Sequence, residues 1–391
     1  MRSQRIESID MLRGIVIILM ALDHVRDFWG PTPFIPEDPS QSTLSWFLTR
    51  WITHYCAPVF VFLAGTSAFL YRKKINSKAD LSRFLISRGF WLILLEILII
   101  NPSWSWSFSS PFVQVIWALG WSMIFLAIMV WLPRWLVAII ALLMIFGHNA
   151  LDTVSADAFG SFHWLWKILH VSAWIPLNLA PDNPLSPFLS GFYVAYPLIP
   201  WLGVILAGYL IGPVFQQGES QRKRLLLSAG ITFCILFFVL RALAFYGDPN
   251  PWKPGGNGIV FEFMAFLNTN KYPPSLLFLS MTIGPALLAL VFLEKLRGIS
   301  AKVFLVFGQA PLFFYLIHIP FIHVTASIYH NMRYGQDFNA FMFNTSHPES
   351  YTPQLLLVYF TWLLTVFALY WPTRWYRDLK RNSSNPWLSY L

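Results

Sequence analysis

Apolar residues fall into ten blocks of roughly the 20 positions needed to cross a hydrocarbon layer, near residues 8–28, 45–71, 84–101, 113–131, 134–150, 193–212, 224–245, 274–293, 303–328 and 353–371. Short basic turns and long polar loops alternate between them. This pattern predicts an all-α, polytopic membrane protein, a bundle of about ten transmembrane helices forming a single domain over residues 1–391. The first block is unusual, because IESIDMLRGIVIILMALDHVRD carries charged and titratable groups inside an apolar span. On a helix, Asp10, Arg13, Ile17, Met20, His24 and Asp27 fall within an arc of roughly 100°. A charge near the bilayer centre costs at least about 2.5 kcal/mol. Such a stripe needs partners, a water-filled cavity or a ligand, and the first helix is predicted to wall a site.

Composition agrees with this reading. The chain is 56% hydrophobic and 12% charged, with a mean hydropathy of +0.55, whereas a soluble domain is about 25% charged. The net charge of +9 raises nucleic acid as a partner, but most of the 27 Lys and Arg sit in segments on one side of the threaded bundle. They act as topology signals, which excludes nucleic acid and predicts cytoplasmic N and C termini in the inner (plasma) membrane. Residues 1–5 read as a short basic start, since no small-residue cleavage site follows the apolar run. Cys56 and Cys234, far apart in apolar blocks, imply neither a disulfide nor a metal site. The opposite-side segments, 31–44, 101–112, 151–192, 247–273 and 330–352, are long and poor in charge, as functional loops are. Trp104, Trp106, Trp164 and Trp166 there are either an interfacial belt or platforms for sugar rings.

Candidate chemistry follows from the stripe. Arg13 and His24 share a face about 16 Å apart. His24 has an ordinary pKa near neutrality and is the predicted general base, with Asp23 and Asp27 flanking it to orient or stabilise the imidazole. The plain alternative is an interface histidine beside an Asp10–Arg13 pair. In RWITHYCAPVF, Arg50 and His54 share a face, and Pro58 frees the His54 carbonyl, making His54 a second candidate. Small residues Ala64, Gly65, Ser67 and Ala68 predict close helix packing. Glu96, alone in LILLEILII except for Arg88 two turns earlier, is expected to pair with His54 or Arg50, or to pair structurally. In the ninth block, Pro311 and Pro320 break the helix around Tyr315 and His318, as in a cavity-lining kink, with His323 near the outer surface. His148 reads as interfacial, and His163, His170, His330 and His347 as loop residues.

These residues carry a family resemblance. R-I-x-S-I-D-x-L-R-G at 5–14, a histidine eleven places after Arg13, T-H-Y-C-A-P-V-F-V-F-L-A-G at 53–65 and G-x-x-P-x-x-x-Y-x-x-H-x-P at 308–320 together resemble the bacterial relatives of heparan-α-glucosaminide N-acetyltransferase, within the transmembrane acyltransferase superfamily. The resemblance is good over the first hundred residues and recovers near 300–325. It implies an acyl-CoA (acetyl-CoA) donor bound from the cytoplasm and an acceptor on the far side. It matches His24 to the first-helix histidine of the sugar acyltransferases, and Asp10 with Arg13 to their D-x-x-R element. The animal enzyme carries its catalytic histidine in the first lumenal loop, yet residues 29–44 contain none. Chemistry, if kept, moves to His24 or His54.

Both lines give one expectation: an O- or N-acyltransferase of the cell envelope, with acyl-CoA, a sugar or glycan acceptor, membrane lipids and a second copy of the chain as partners, and no metal. His24, Asp23, His54 and Asp27 are the expected catalytic set. Asp10, Arg13, Arg50, Glu96, Tyr315 and His318 are expected to bind acyl-CoA, with Arg72, Lys73 and Lys74 attracting its phosphates. His24 deprotonates the acceptor while His54 or Tyr315 polarises the thioester, or an acyl-histidine forms. The rival is a carrier of a small solute or sugar-lipid along a His/Glu/Arg pathway, and a third reading is a non-catalytic envelope partner.

Overall fold

The computed structural model describes residues 6–391 apart from 76, 109–110, 178, 180–182, 184–189, 256–257, 336–346, 384, 386–387, 389 and 391. The basic start at residues 1–5 therefore lies outside the described residues. The chain opens with α1 (Glu7–Trp29) and passes through α2 (Leu44–Thr53) and α3 (Cys56–Arg72). Next comes α4 (Lys78–Leu95), started by Ser77, whose hydroxyl accepts the Asp80 N–H. It loosens into a π-turn (Glu96–Ile100) before α5 (Asn101–Ser105). Then follow α6 (Val115–Met129), α7 (Arg134–Leu142), α8 (His163–Leu169), α9 (Leu198–Ile211), α10 (Glu219–Leu243) and α11 (Ile259–Leu267). The chain closes with α12 (Leu276–Leu293), α13 (Ile299–Gln309), α14 (Pro311–Tyr334) and α15 (Leu355–Asn382). A small sheet joins β1 (Phe112–Val113), β2 (Ala173–Pro176) and β3 (Gly191–Val194) in the order β1-β3-β2.

Eight helical stretches among the described residues are long and apolar enough to cross a membrane. The protein is an all-helical polytopic membrane protein. α1 is excluded from that set by its charges, and α6 is shorter; with these two, the stretches correspond to the ten apolar blocks. One boundary differs. The ninth block is two helices, because Ala310 leaves helical geometry (φ −132°, ψ 47°) and Pro311 opens α14. A proline at the first helical position has no N–H to lose, so the break falls before it, whereas α14 continues through Pro320. Similarly, α2 and α3 part at His54 and Tyr55, just before Pro58.

The first helix is the hub, packing on α2, α3, α12, α13, α14 and α15. Its approach to α13 needs glycine on both sides. A Cβ on Gly14 would lie 1.9 Å from the Phe304 carbonyl oxygen, and one on Gly308 would lie 1.7 Å from that of Asp10. Gly65 does the same for α3 against Ile205 of α9, which meets the packing expected of that run. α14 runs beside α1 in the same direction, with His318 opposite His24 and His323 and His330 opposite Phe28. The turns after α3, α9 and α12 and the end of α15 gather at one end of the bundle, hereafter the basic end. The sheet and long loops lie at the other, the loop end.

Candidate functional site

A cavity of about 600 Å³ runs between α1, α3, α4, α6 and α14. Lys73, Lys74, Arg88 and Lys380 line it toward the basic end, aliphatic side chains such as Ile17, Met20 and Leu92 line its middle, and Tyr315 lines it near the centre of the molecule. Arg13 is on this wall. Its guanidinium donates to the Leu63 carbonyl (3.0 Å) and the Ser67 hydroxyl, and approaches Asp10 at 3.4 Å. Ala64, Ser67 and Ala68 also line the cavity, so the small residues around Gly65 make room as well as packing. Arg72 turns aside to the Ile75 carbonyl at 3.0 Å.

Beyond Tyr315 stands a histidine pair. His24 Nδ1 is 2.6 Å from His318 Nε2, and His318 Nδ1 faces two carbonyl oxygens, Tyr315 at 2.8 Å and Phe314 at 3.1 Å. A nitrogen facing carbonyl oxygens must carry the hydrogen. His318 Nε2 is therefore the acceptor, His24 Nδ1 the donor, and His24 Nε2 keeps its lone pair. That is the tautomer of a general base. His318 is fully buried, whereas His24 retains 8% exposure. Trp104 stands edge-on to His24 at 5.0 Å and Tyr315 at 6.5 Å between ring centres. The Tyr315 hydroxyl is buried without a hydrogen-bond partner among the described residues, an arrangement that costs roughly 1–3 kcal/mol unless a ligand or water satisfies it.

On the loop-end side of His24 lies a charge cluster. Both Asp23 oxygens accept from Arg50 Nη1 (2.7 and 2.6 Å), and Asp23 also accepts from Arg26 (3.0 Å) and Thr53 (2.9 Å). Arg26 donates to Asp27 at 2.6 Å. Arg50 Nε donates to Glu37, reaching in from the loop after α1, and His54 Nε2 is 3.9 Å from the same carboxylate. Burial alone would push the Glu37 carboxyl up, but Arg50, the His54 contact and Arg26 outweigh it and hold it well below the usual carboxylate range. Carboxylates buried against guanidiniums offset part of each other's desolvation cost, and removing one partner would strand a buried charge.

The expected residues thus separate into groups. Asp10, Arg13 and Tyr315 line the cavity; His24 and His318 are bonded; Asp23, Asp27, Arg50 and His54 form the charge cluster. The imidazole of His24 is held by His318, while Asp23 and Asp27 are turned to the arginines. Glu96 stands apart: its Oε1 accepts the Gln114 backbone N–H at 3.1 Å, capping α6, rather than meeting Arg50 or His54. One further expectation changes: His330, read as a loop residue, sits buried on α14. His148 and His170 are buried with ring centres 5.9 Å apart, and His170 is 3.2 Å from Asp152. His323 is buried too, stacked on Phe28. Of the tryptophans, Trp104 and Trp166 are buried and Trp106 and Trp164 exposed. Glu37, Arg26, Arg88 and Lys380 were not singled out as site residues; Arg26 and Arg88, cations inside apolar blocks, gave a signal. Among the described residues no group of three or more His, Cys, Asp or Glu is arranged to hold a metal.

These features define a membrane-embedded protein whose cavity joins a cationic mouth to a buried histidine pair. The family model for heparan-α-glucosaminide N-acetyltransferase, catalytic region, matches residues 5–247, and the chain belongs to that family. It is by family a membrane acetyltransferase. No curated protein matches it. The matched region holds His24, the charge cluster and Glu96, while Tyr315 and His318 come from beyond it.

Proposed function

We propose that this protein moves an acetyl or other acyl group from cytoplasmic acyl-CoA to a hydroxyl or amine of a sugar or glycan acceptor on the extracytoplasmic side of the inner membrane. The observation that carries the reading is the cavity leading from Lys73, Lys74, Arg88 and Lys380 to Tyr315 beside His24. Its volume is in the range of small-molecule sites, and a mouth of four cations suits a nucleotide with several phosphates. The pantetheine arm would follow the aliphatic wall and bring the thioester to Tyr315. His24 Nε2 takes the proton of the acceptor, whose oxygen or nitrogen forms the new bond to the acyl carbon. The carbon–sulfur bond breaks, and the proton passes from His24 to the departing thiolate. The charge cluster would face the acceptor and keep His24 rigid from behind.

The test is transfer of radiolabelled acetyl from acetyl-CoA by purified protein in nanodiscs, with binding of acetyl-CoA measured alongside. His24→Ala should lower transfer by about 10²–10⁴-fold and leave donor binding intact. Transfer unaffected by the substitution would refute the reading, as would gradient-driven solute uptake into vesicles without donor turnover.

A further inference from the structure

Among the described residues three rings stand against His24, those of His318, Trp104 and Tyr315. The first holds its Nδ1. Each of the other two carries a hydrogen-bond donor that is buried with nothing to bond to among the described residues: the Trp104 indole N–H and the Tyr315 hydroxyl, on side chains each only 4% exposed. The indoles of Trp29, Trp91, Trp201 and Trp252 are also left without a partner, but of the five only Trp104 has its ring against His24, edge-on at 5.0 Å. A buried donor without a partner forfeits its hydration, and an acceptor brought in by a ligand restores the bond.

The fold holds both donors in place. Trp104 belongs to the short α5, where Asn101 exchanges two hydrogen bonds with the Phe112 backbone (2.6 and 3.1 Å) and the Trp106 N–H closes the turn on the Pro102 carbonyl (2.8 Å). The Ser103 carbonyl, one residue before Trp104, accepts from His323 Nδ1 on α14 at 2.9 Å, and Phe28 stacks on the indole at 5.2 Å. Tyr315 is on α14 itself, and its carbonyl is fixed by His318 Nδ1 at 2.8 Å. One helix thus anchors both donors and the histidine that orients the base. Tyr315 approaches His24 from the cavity it lines, and Trp104 from the side of Phe28, one turn further along α1. Donors held in advance on rigid elements lose nothing to reorganisation when charge develops between them.

We infer that the Trp104 indole N–H and the Tyr315 hydroxyl form a two-donor site for the carbonyl oxygen of the thioester, a role that rests on the acyltransfer reading above. As the acceptor adds to the carbonyl carbon, the π pair moves onto oxygen and the two donors bind the oxyanion. As that pair returns, the carbon–sulfur bond breaks and its electrons leave with the thiolate. Trp104 and Tyr315 keep their hydrogens throughout, and the acceptor's proton passes through His24 alone. Neutral donors in a site stripped of water gain most as the oxygen becomes negative.

Full-length protein in nanodiscs is compared as wild type, Trp104→Phe, Tyr315→Phe and the double variant, since phenylalanine leaves an aromatic ring and removes the donor. The first readout needs no turnover: the infrared carbonyl band of bound acetyl-CoA, isotope-labelled at the thioester carbon. In wild type it should lie below the band of acetyl-CoA in an apolar solvent, move up in each single variant and move further in the double one. The second is kcat for acetyl transfer to glucosamine as probe acceptor, which should fall by about 10²–10³-fold for each donor removed, with acetyl-CoA binding and thermal melting retained. A wild-type band at the frequency of a carbonyl without a donor overturns the inference, whether or not a variant folds. So does a shift in one variant alone, or single variants that match wild type in both readouts. If those results accompany a dead His24→Ala, the acyltransfer reading stands and this role alone fails. A wild type that binds no acetyl-CoA removes both.

Discussion

His24 takes its chemistry from a residue 294 positions away. Because the Tyr315 and Phe314 carbonyls fix the hydrogen on His318 Nδ1, the free lone pair of the pair falls on His24 Nε2. Replacing His318 by Phe removes that control, and kcat should fall by about 10- to 100-fold with donor affinity unchanged; steady-state kinetics beside a binding isotherm separate the two. Glu37 offers a stability test. A carboxyl held below its ordinary value contributes stability above the unfolded pKa and loses it as pH falls through the folded one. Glu37→Gln should therefore be less stable than wild type by about 1.5–3 kcal/mol near neutrality. The gap should begin to close as pH drops below the ordinary glutamate value of 4.5 and vanish at more acidic pH, read by thermal unfolding in detergent. His24, Asp23, Arg50 and His54 were legible because charge inside an apolar block needs a reason. Glu37 was not, since a polar residue in a polar loop carries no such signal and its partners are set by how the loop folds back.

The helices were legible at the level of the block and less so at their interruptions. Periodicity marks where a span exists, but the break at Ala310 and the π-turn at Glu96 depend on local backbone choices that mean hydropathy does not register. The π-turn lets Glu96 reach the amino end of α6, where a carboxylate meets unpaired N–H groups, and this is why it does not reach Arg50. The α1–α13 contact is the element on which the cavity wall depends. Gly308→Val should push α13 away from Asp10 and Gly14, destabilising the protein by about 1–3 kcal/mol or more and weakening acetyl-CoA binding, since Gly308 and Asp10 both line the cavity. Unchanged melting and unchanged binding would mean that the two helices are not so closely packed.

Across the whole molecule, charge is sorted to opposite ends for two purposes. At the basic end, cations ring a cavity mouth; at the loop end, Arg26 and Arg50 answer Asp23, Asp27 and Glu37. Composition marked the basic turns and could not reveal the cavity mouth, because a basic turn looks the same whether or not a pocket opens beside it. The double charge reversal Lys73→Glu, Lys74→Glu should raise the KM for acetyl-CoA by about tenfold or more, most at low salt, while leaving kcat largely intact. The most direct measurement is a structure of the protein with a non-hydrolysable acetyl-CoA analogue bound. Its phosphates are expected on Lys73, Lys74 and Lys380, and its acyl carbon between Tyr315 and His24. An analogue bound elsewhere, or a cavity holding lipid while the analogue fails to bind, would contradict the assignment of this passage to the acyl donor.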